Sequence, residues 1–109
     1  VSGEKHDLGS GFSYTFTGWE PDRDLNPQYE DLPDIPIVGI IIWRDESALG
    51  HCMFDTPEVK KVFPKGPHWT LVSMDPLHIE PSVQMYEFKN GENVPSYHGF
   101  IRNGKWENA

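Results

Sequence analysis

Ser82-Val83-Gln84-Met85-Tyr86-Glu87-Phe88-Lys89-Asn90-Gly91-Glu92 decides the fold class of this 109-residue chain. Residues 82–88 read as a strand, and Asn90-Gly91 suits the type I′ turn of a two-residue hairpin, which needs positive φ at both central positions. The same signal recurs at Asn103-Gly104, between Ile101 and Trp106, and predicts a tight C-terminal hairpin of Tyr97–Arg102 with Lys105–Glu107. Upstream, Phe12, Tyr14 and Phe16 alternate with Ser13, Thr15 and Thr17, the pattern of a half-buried strand. Ile37–Trp43 is a nearly continuous apolar run and the candidate central strand, with Gly39 marking a bulge or a close approach. His51–Asp55 and Trp69–Met74 read as further short strands, and Asp75-Pro76 stops the second.

Ten glycines and ten prolines favour turns and short elements. One helix is predicted at 57–63, with Thr56 as N-cap, Pro57 in the first helical position and Pro64 beyond the end. Val59, Val62 and Phe63 give it an apolar face. Residues 1–11 are expected to form a flexible terminus. Residues 20–36 hold four prolines and six acids, which exclude helix and central strand. That loop is expected to be pinned by Leu25, Tyr29 and Leu32. The chain is read as a single domain, 1–109: a mainly β, small, twisted antiparallel sheet or partly open barrel of about five to seven strands with one short helix.

A net charge of −8 disfavours nucleic acid and anionic membranes, both of which need a basic face. The longest apolar run is far short of a spanning helix, and no secretory pattern is evident. A single cysteine, Cys52, leaves no internal disulfide and points to a cytoplasmic protein. Cys52 reads as a small buried hydrophobe rather than a nucleophile. His51, Cys52, His68, His78 and His98 lack the paired spacing of a zinc site, so no metal and no cofactor are expected. Asp22-x-Asp24-x-Asn26 resembles the start of a calcium loop, but Pro27 stands where that loop needs glycine and Pro33 where it needs glutamate.

Two residues of the last third could carry chemistry. Ser82 and His98 each fall on what reads as a strand edge. A serine hydroxyl becomes a nucleophile when a base takes its proton, and histidine is the usual base. Asp75, Asp55 or Glu80 could orient the ring, and backbone N–H groups near Gly99, or Arg102, could stabilise an oxyanion. The alternative reading of Ser82 is a strand terminus after Pro81.

Five stretches carry a resemblance: Phe54-Asp55-Thr56-Pro57, Trp69-Thr70-Leu71-Val72-Ser73, Asp75-Pro76-Leu77, Pro81-Ser82-Val83 and His98-Gly99-Phe100-Ile101-Arg102-Asn103-Gly104-Lys105-Trp106. Together they resemble a domain-of-unknown-function family of small bacterial and actinobacteriophage proteins. Tyr14–Trp19 and Asn26–Tyr29 are similar to phage members. The family includes the serine peptidase (BubE-like) of bacterial ubiquitination-like (Bub) operons. The resemblance implies a hydrolase processing the C-terminal tail of a ubiquitin-like protein, in the cytoplasm of a bacterial or phage-infected cell. Such an extended tail would pair with an exposed strand edge. Ser82 matches the second serine of a Leu-x-Leu-Ser-Pro-Ser pattern and His98 the histidine of His-x-x-Ile-Arg-x-Gly. Ser82, His98, Asp75 and Asp55 are then the candidate catalytic residues, with Arg102, Glu80 and Trp69 in binding roles. Glu80 stands where the first serine usually is, and Pro95-Ser96 where many members have cysteine. If that first serine is the nucleophile, the chain is instead a non-enzymatic copy: a virion component, an anti-defence protein or an adaptor domain.

Overall fold

The computed structural model describes residues 4–109 and is mainly β, with eight strands in two antiparallel four-stranded sheets. The first sheet holds β1 (His6–Gly9), β2 (Phe12–Trp19), β3 (Ile35–Arg44) and β4 (Ser47–Met53), in that order. The second holds β5 (Thr70–Met74), β6 (Leu77–Lys89), β7 (Glu92–Arg102) and β8 (Lys105–Asn108), also in chain order. Neither sheet closes into a barrel. Every connection within a sheet is local, and the single crossing between sheets carries the helix α1 (Pro57–Val62).

The alternation predicted for residues 12–17 faces Phe12, Tyr14 and Phe16 toward Ile40 and Ile42 of β3 and the inner side of the second sheet. From that second sheet Leu77, Ile79, Val83, Met85, Ile101 and Trp106 complete one shared core. Phe12 packs across the interface, 4.7 Å from the Trp106 ring and 5.2 Å from Tyr97. A smaller cluster, Ile35, Val38 and Val59, seats α1 against β3. Both predicted Asn-Gly turns have positive φ at each residue, +52° and +80° at Asn90-Gly91 and +52° and +73° at Asn103-Gly104. The right-handed twist of the flanking strands requires that geometry.

Several expectations need correction. Residues 6–9 are a strand, not part of a loose terminus: Leu8 is fully buried, and its apolar side chain holds β1 onto β2. Residues 1–3 of the predicted terminus lie outside the described residues. The short strand expected at His51–Asp55 starts earlier, because only Asp45-Glu46 connect it to β3 and β4 begins at Ser47. Serine and alanine are tolerated there because β4 is an edge strand with one half-exposed side. Ile35 and Pro36 belong to β3; the proline falls in the bulge between the Trp19–Ile35 and Thr17–Gly39 pairs, where no ladder bond needs its missing donor. β6 begins at Leu77, so Pro81 lies inside the strand, at a bulge. Thr56 is the N-cap of α1 as expected, though its hydroxyl accepts no bond from the first turn; its carbonyl does, accepting from Lys60 N–H at 3.0 Å.

The 20–34 loop is pinned, though not by Leu25, which is exposed. Arg23 ties it, donating to the Leu32 carbonyl at 2.6 Å and to Asp34 Oδ1 at 2.7 Å. Tyr29 packs edge-on against Trp19, and Asp22 Oδ1 accepts the Asp24 and Leu25 amides in a turn.

Cys52 is buried on β4, and desolvation pushes its thiol up to about 12. The thiolate is the reactive form. Native protein at pH 8 is therefore expected to resist iodoacetamide for hours and to react fully in denaturant; native-state alkylation at the denatured rate would show that β4 is not held as described.

Candidate functional site

The second sheet presents an outer face bearing His78, Glu80, Ser82 and Gln84 from β6 and His98, Phe100 and Arg102 from β7. The inward alternation of Ile79, Val83 and Met85, and of Gly99 and Ile101, dictates this arrangement. Gln84 pairs directly with His98, which makes Ser82 the diagonal neighbour of His98 on the same face. Ser82 Oγ lies 2.9 Å from His98 Nε2.

Two irregularities bracket this pair. Between Ile79 and Val83 four steps of β6 face only two of β7, because Ile79 pairs with Ile101 and Val83 with Gly99. Glu80-Pro81-Ser82 forms that bulge opposite Phe100. Proline fits there because it has no amide to offer the ladder. Between Gln84 and Tyr86 the extra residue sits on β7 instead, where Tyr86 pairs with Pro95. Each bulge is locked by a side chain on a carbonyl. The Trp69 indole N–H donates to the Ser82 carbonyl at 3.2 Å. The Gln84 amide donates to the carbonyls of Tyr97 and Met85, each at 3.0 Å. Bulges of this kind re-aim side chains, and here they aim Ser82 and His98 at each other.

The remaining candidates fall elsewhere. Asp55 Oδ1 accepts the Leu71 amide at 3.4 Å, at the junction between the sheets. Asp75 sits in the β5–β6 turn, where its charge, after burial, helps raise the Tyr14 hydroxyl above its usual range. That turn lies beside the Asn103-Gly104 turn, which follows Arg102 at the end of β7, and His98 lies four residues before that end. Neither acid hydrogen-bonds His98, so the structure brings together two members of the expected triad and not the third. Glu80 Oε1 is 2.8 Å from His78 Nε2. Arg102 stacks its guanidinium 4.0 Å from the ring of Phe100, the residue opposite the Ser82 bulge, and it hydrogen-bonds neither Ser82 nor His98. The Trp69 indole N–H is engaged by the Ser82 carbonyl. Gly99 is needed for close approach: a Cβ there would lie 2.6 Å from the Trp106 ring.

Sequence reasoning missed Gln84, whose only signal was its position two residues beyond Ser82. Among the described residues no three His, Cys, Asp or Glu side chains gather as a metal site, and no helix is long and apolar enough to cross a membrane. Comparison with protein-family models, curated proteins and solved structures finds no match.

Proposed function

We propose that the chain is a small serine hydrolase using a Ser82–His98 dyad to cleave a peptide or isopeptide bond. The observation that carries this reading is the 2.9 Å approach of Ser82 Oγ to His98 Nε2 between two locked bulges. With its proton on Nδ1, the imidazole accepts from the hydroxyl. Ser82 Oγ then attacks the carbonyl carbon as its proton passes to His98 Nε2. The tetrahedral adduct collapses, the C–N bond breaks, and His98 gives the proton to the leaving amine. Water, deprotonated by the same nitrogen, attacks the acyl-serine, releases the acid and restores the hydroxyl.

The pair lies on an exposed sheet face, and neither the cleft by Tyr86–Phe88 nor the one by Pro33–Ile37 includes it. An open face suits a polymer laid across it better than a small metabolite enclosed by it. This agrees with the resemblance to peptidases that process the tail of a ubiquitin-like protein, and a cytoplasmic setting in a bacterial or phage-infected cell follows from the same resemblance.

A fluorophosphonate probe is expected to label the wild-type chain at a single site and to leave folded Ser82→Ala unlabelled. Equal labelling of both would overturn the reading. One observation favours a second reading, a non-enzymatic accessory or adaptor domain: among the described residues no carboxylate hydrogen-bonds His98, and Glu80 stands where the resembling family usually has its first serine. A wild-type chain inert to the probe, with a partner retained equally by Ser82→Ala, would establish it.

A further inference from the structure

β6 is paired on one side for only part of its length. β5 reaches no further than the Thr70–Glu80 pair, and β7 covers the opposite side through Lys89. Beyond Ser82, whose carbonyl the Trp69 indole covers, the β5 side of β6 pairs with no strand through Lys89 among the described residues. Lys89 and Glu92 flank the two-residue turn, so their amides and carbonyls face each other. Alternation then turns the backbone groups of Phe88 and Tyr86 away from β7. Pro95, which has no amide, stands opposite Tyr86 and fits that phase. The ladder thus offers two consecutive outward sets of N–H and C=O groups at Tyr86 and Phe88.

This edge borders a cleft of about 450 Å3. Ser47, Ala48 and Leu49 line one wall, and Tyr86, Glu87 and Phe88 the other. Successive side chains of a strand point to opposite faces, so three in a row share one cleft only when it lies along the strand's edge. Both walls are edges: β4 ends the order of its sheet, and β6 is uncovered here. Tyr86 and Phe88 are 52% and 70% exposed, an unusual display for two large aromatics on one strand.

We propose that the open edge of β6 at Tyr86–Phe88 takes an extended, basic peptide segment as an added strand; resting on the hydrolase reading, that segment belongs to the substrate. Unpaired backbone groups along a cleft recognise an extended main chain. Charge selects among such chains. The protein carries −8 overall, which repels a second copy of itself. At the cleft the Asp45 carboxylate forms no ion pair among the described residues, and Glu87 shares only the exposed Lys89, at 3.5 Å. Arg44 keeps its charge at the same cleft but is held on the Phe12 and Tyr97 rings and the Ser10 carbonyl, so it offsets one of the two carboxylates and leaves the lining negative. Tyr86 is four residues from Ser82, about 13 Å along the strand, so the docked segment begins about four substrate residues from the scissile bond.

The test uses the full Ser82→Ala chain, so that nothing is consumed, and a capped ten-residue peptide of alternating valine and lysine. Hydrogen exchange at the Tyr86 and Phe88 amides is expected to slow about tenfold at saturation, with Lys89 and Glu87 unchanged. N-methylation of every second peptide amide, which leaves the protein untouched, is expected to weaken binding about tenfold or more. Phe88→Pro should do the same while the β6–β7 ladder persists. Unchanged exchange at Tyr86 and Phe88, equal binding of the N-methylated peptide, equal binding of a valine–glutamate peptide, or concentration-dependent dimerisation through this edge would each overturn the proposal. Fluorophosphonate labelling of wild type needs no docked strand, so labelling without peptide protection refutes the edge alone, and protection without labelling refutes the hydrolase alone.

Discussion

His98→Gln is expected to slow fluorophosphonate labelling of Ser82 by about 10²–10⁴-fold while leaving the near-ultraviolet spectrum of the folded chain unchanged. Glutamine can still hydrogen-bond Ser82 Oγ, but its amide oxygen is far too weak a base to take the hydroxyl proton. His98 is exposed on the sheet's outer face and packs into no core, so the substitution removes chemistry rather than support. The Gln84 and Trp69 hydrogen bonds that shape the two bulges do not involve the imidazole, and the serine stays where it is. The measurement is the second-order labelling rate, which needs no knowledge of the natural substrate. A variant that labels as fast as wild type would reduce the 2.9 Å contact to an ordinary surface hydrogen bond. Glu80→Ser adds a directional check. If the first position of the motif matters to chemistry, restoring serine there raises the rate; if Ser82 alone is the nucleophile, the rate is unaffected.

Gly39→Ala is expected to cost about 3 kcal/mol or more, visible as a large fall in the denaturant midpoint at constant slope. A Cβ at position 39 would lie 2.0 Å from the Cys52 carbonyl oxygen, with Cys52 C and Met53 Cα within 3.0 Å. All three are backbone atoms of the paired strand, so no side-chain rotation relieves the clash, and β4 must move off β3. Gly91→Ala is the control. Its Cβ would meet nothing within 4 Å, but its φ of +80° is unfavourable for alanine, and a loss of only about 1 kcal/mol follows. Comparable losses at the two positions would mean that β3 and β4 adjust freely at Gly39.

The mainly β class was legible because its signals are local. Asn90-Gly91 and Asn103-Gly104 demand their turns, and Phe12–Thr17 states its own alternation. The division into two sheets was not legible, because it depends on β4, whose Ser47-Ala48-Leu49-Gly50 start reads as connection and becomes strand only when paired with β3. Leu8 shows the same limit from the other side: one apolar residue in a polar, glycine-rich stretch gives no period, yet it secures β1. The serine and histidine could be named from chemistry, since few residue types form a nucleophile and base. Their contact depends on a diagonal register fixed by two bulges, and a bulge leaves little trace in sequence beyond a proline inside a strand. The expected acids are plausible by type, but Asp55 falls in the connection after β4 and Asp75 in the β5–β6 turn, and neither hydrogen-bonds His98.

Trp69 ties the nucleophile to the rest of the molecule. Its amide donates to the Met53 carbonyl at 2.7 Å, its carbonyl accepts from Asp55 N–H at 3.0 Å, and its indole holds the Ser82 carbonyl. One residue thus rivets the last residue of β4, the inter-sheet connection and the β6 bulge. Force applied to β4, at the wall of the cleft, is transmitted through this rivet to the backbone of Ser82.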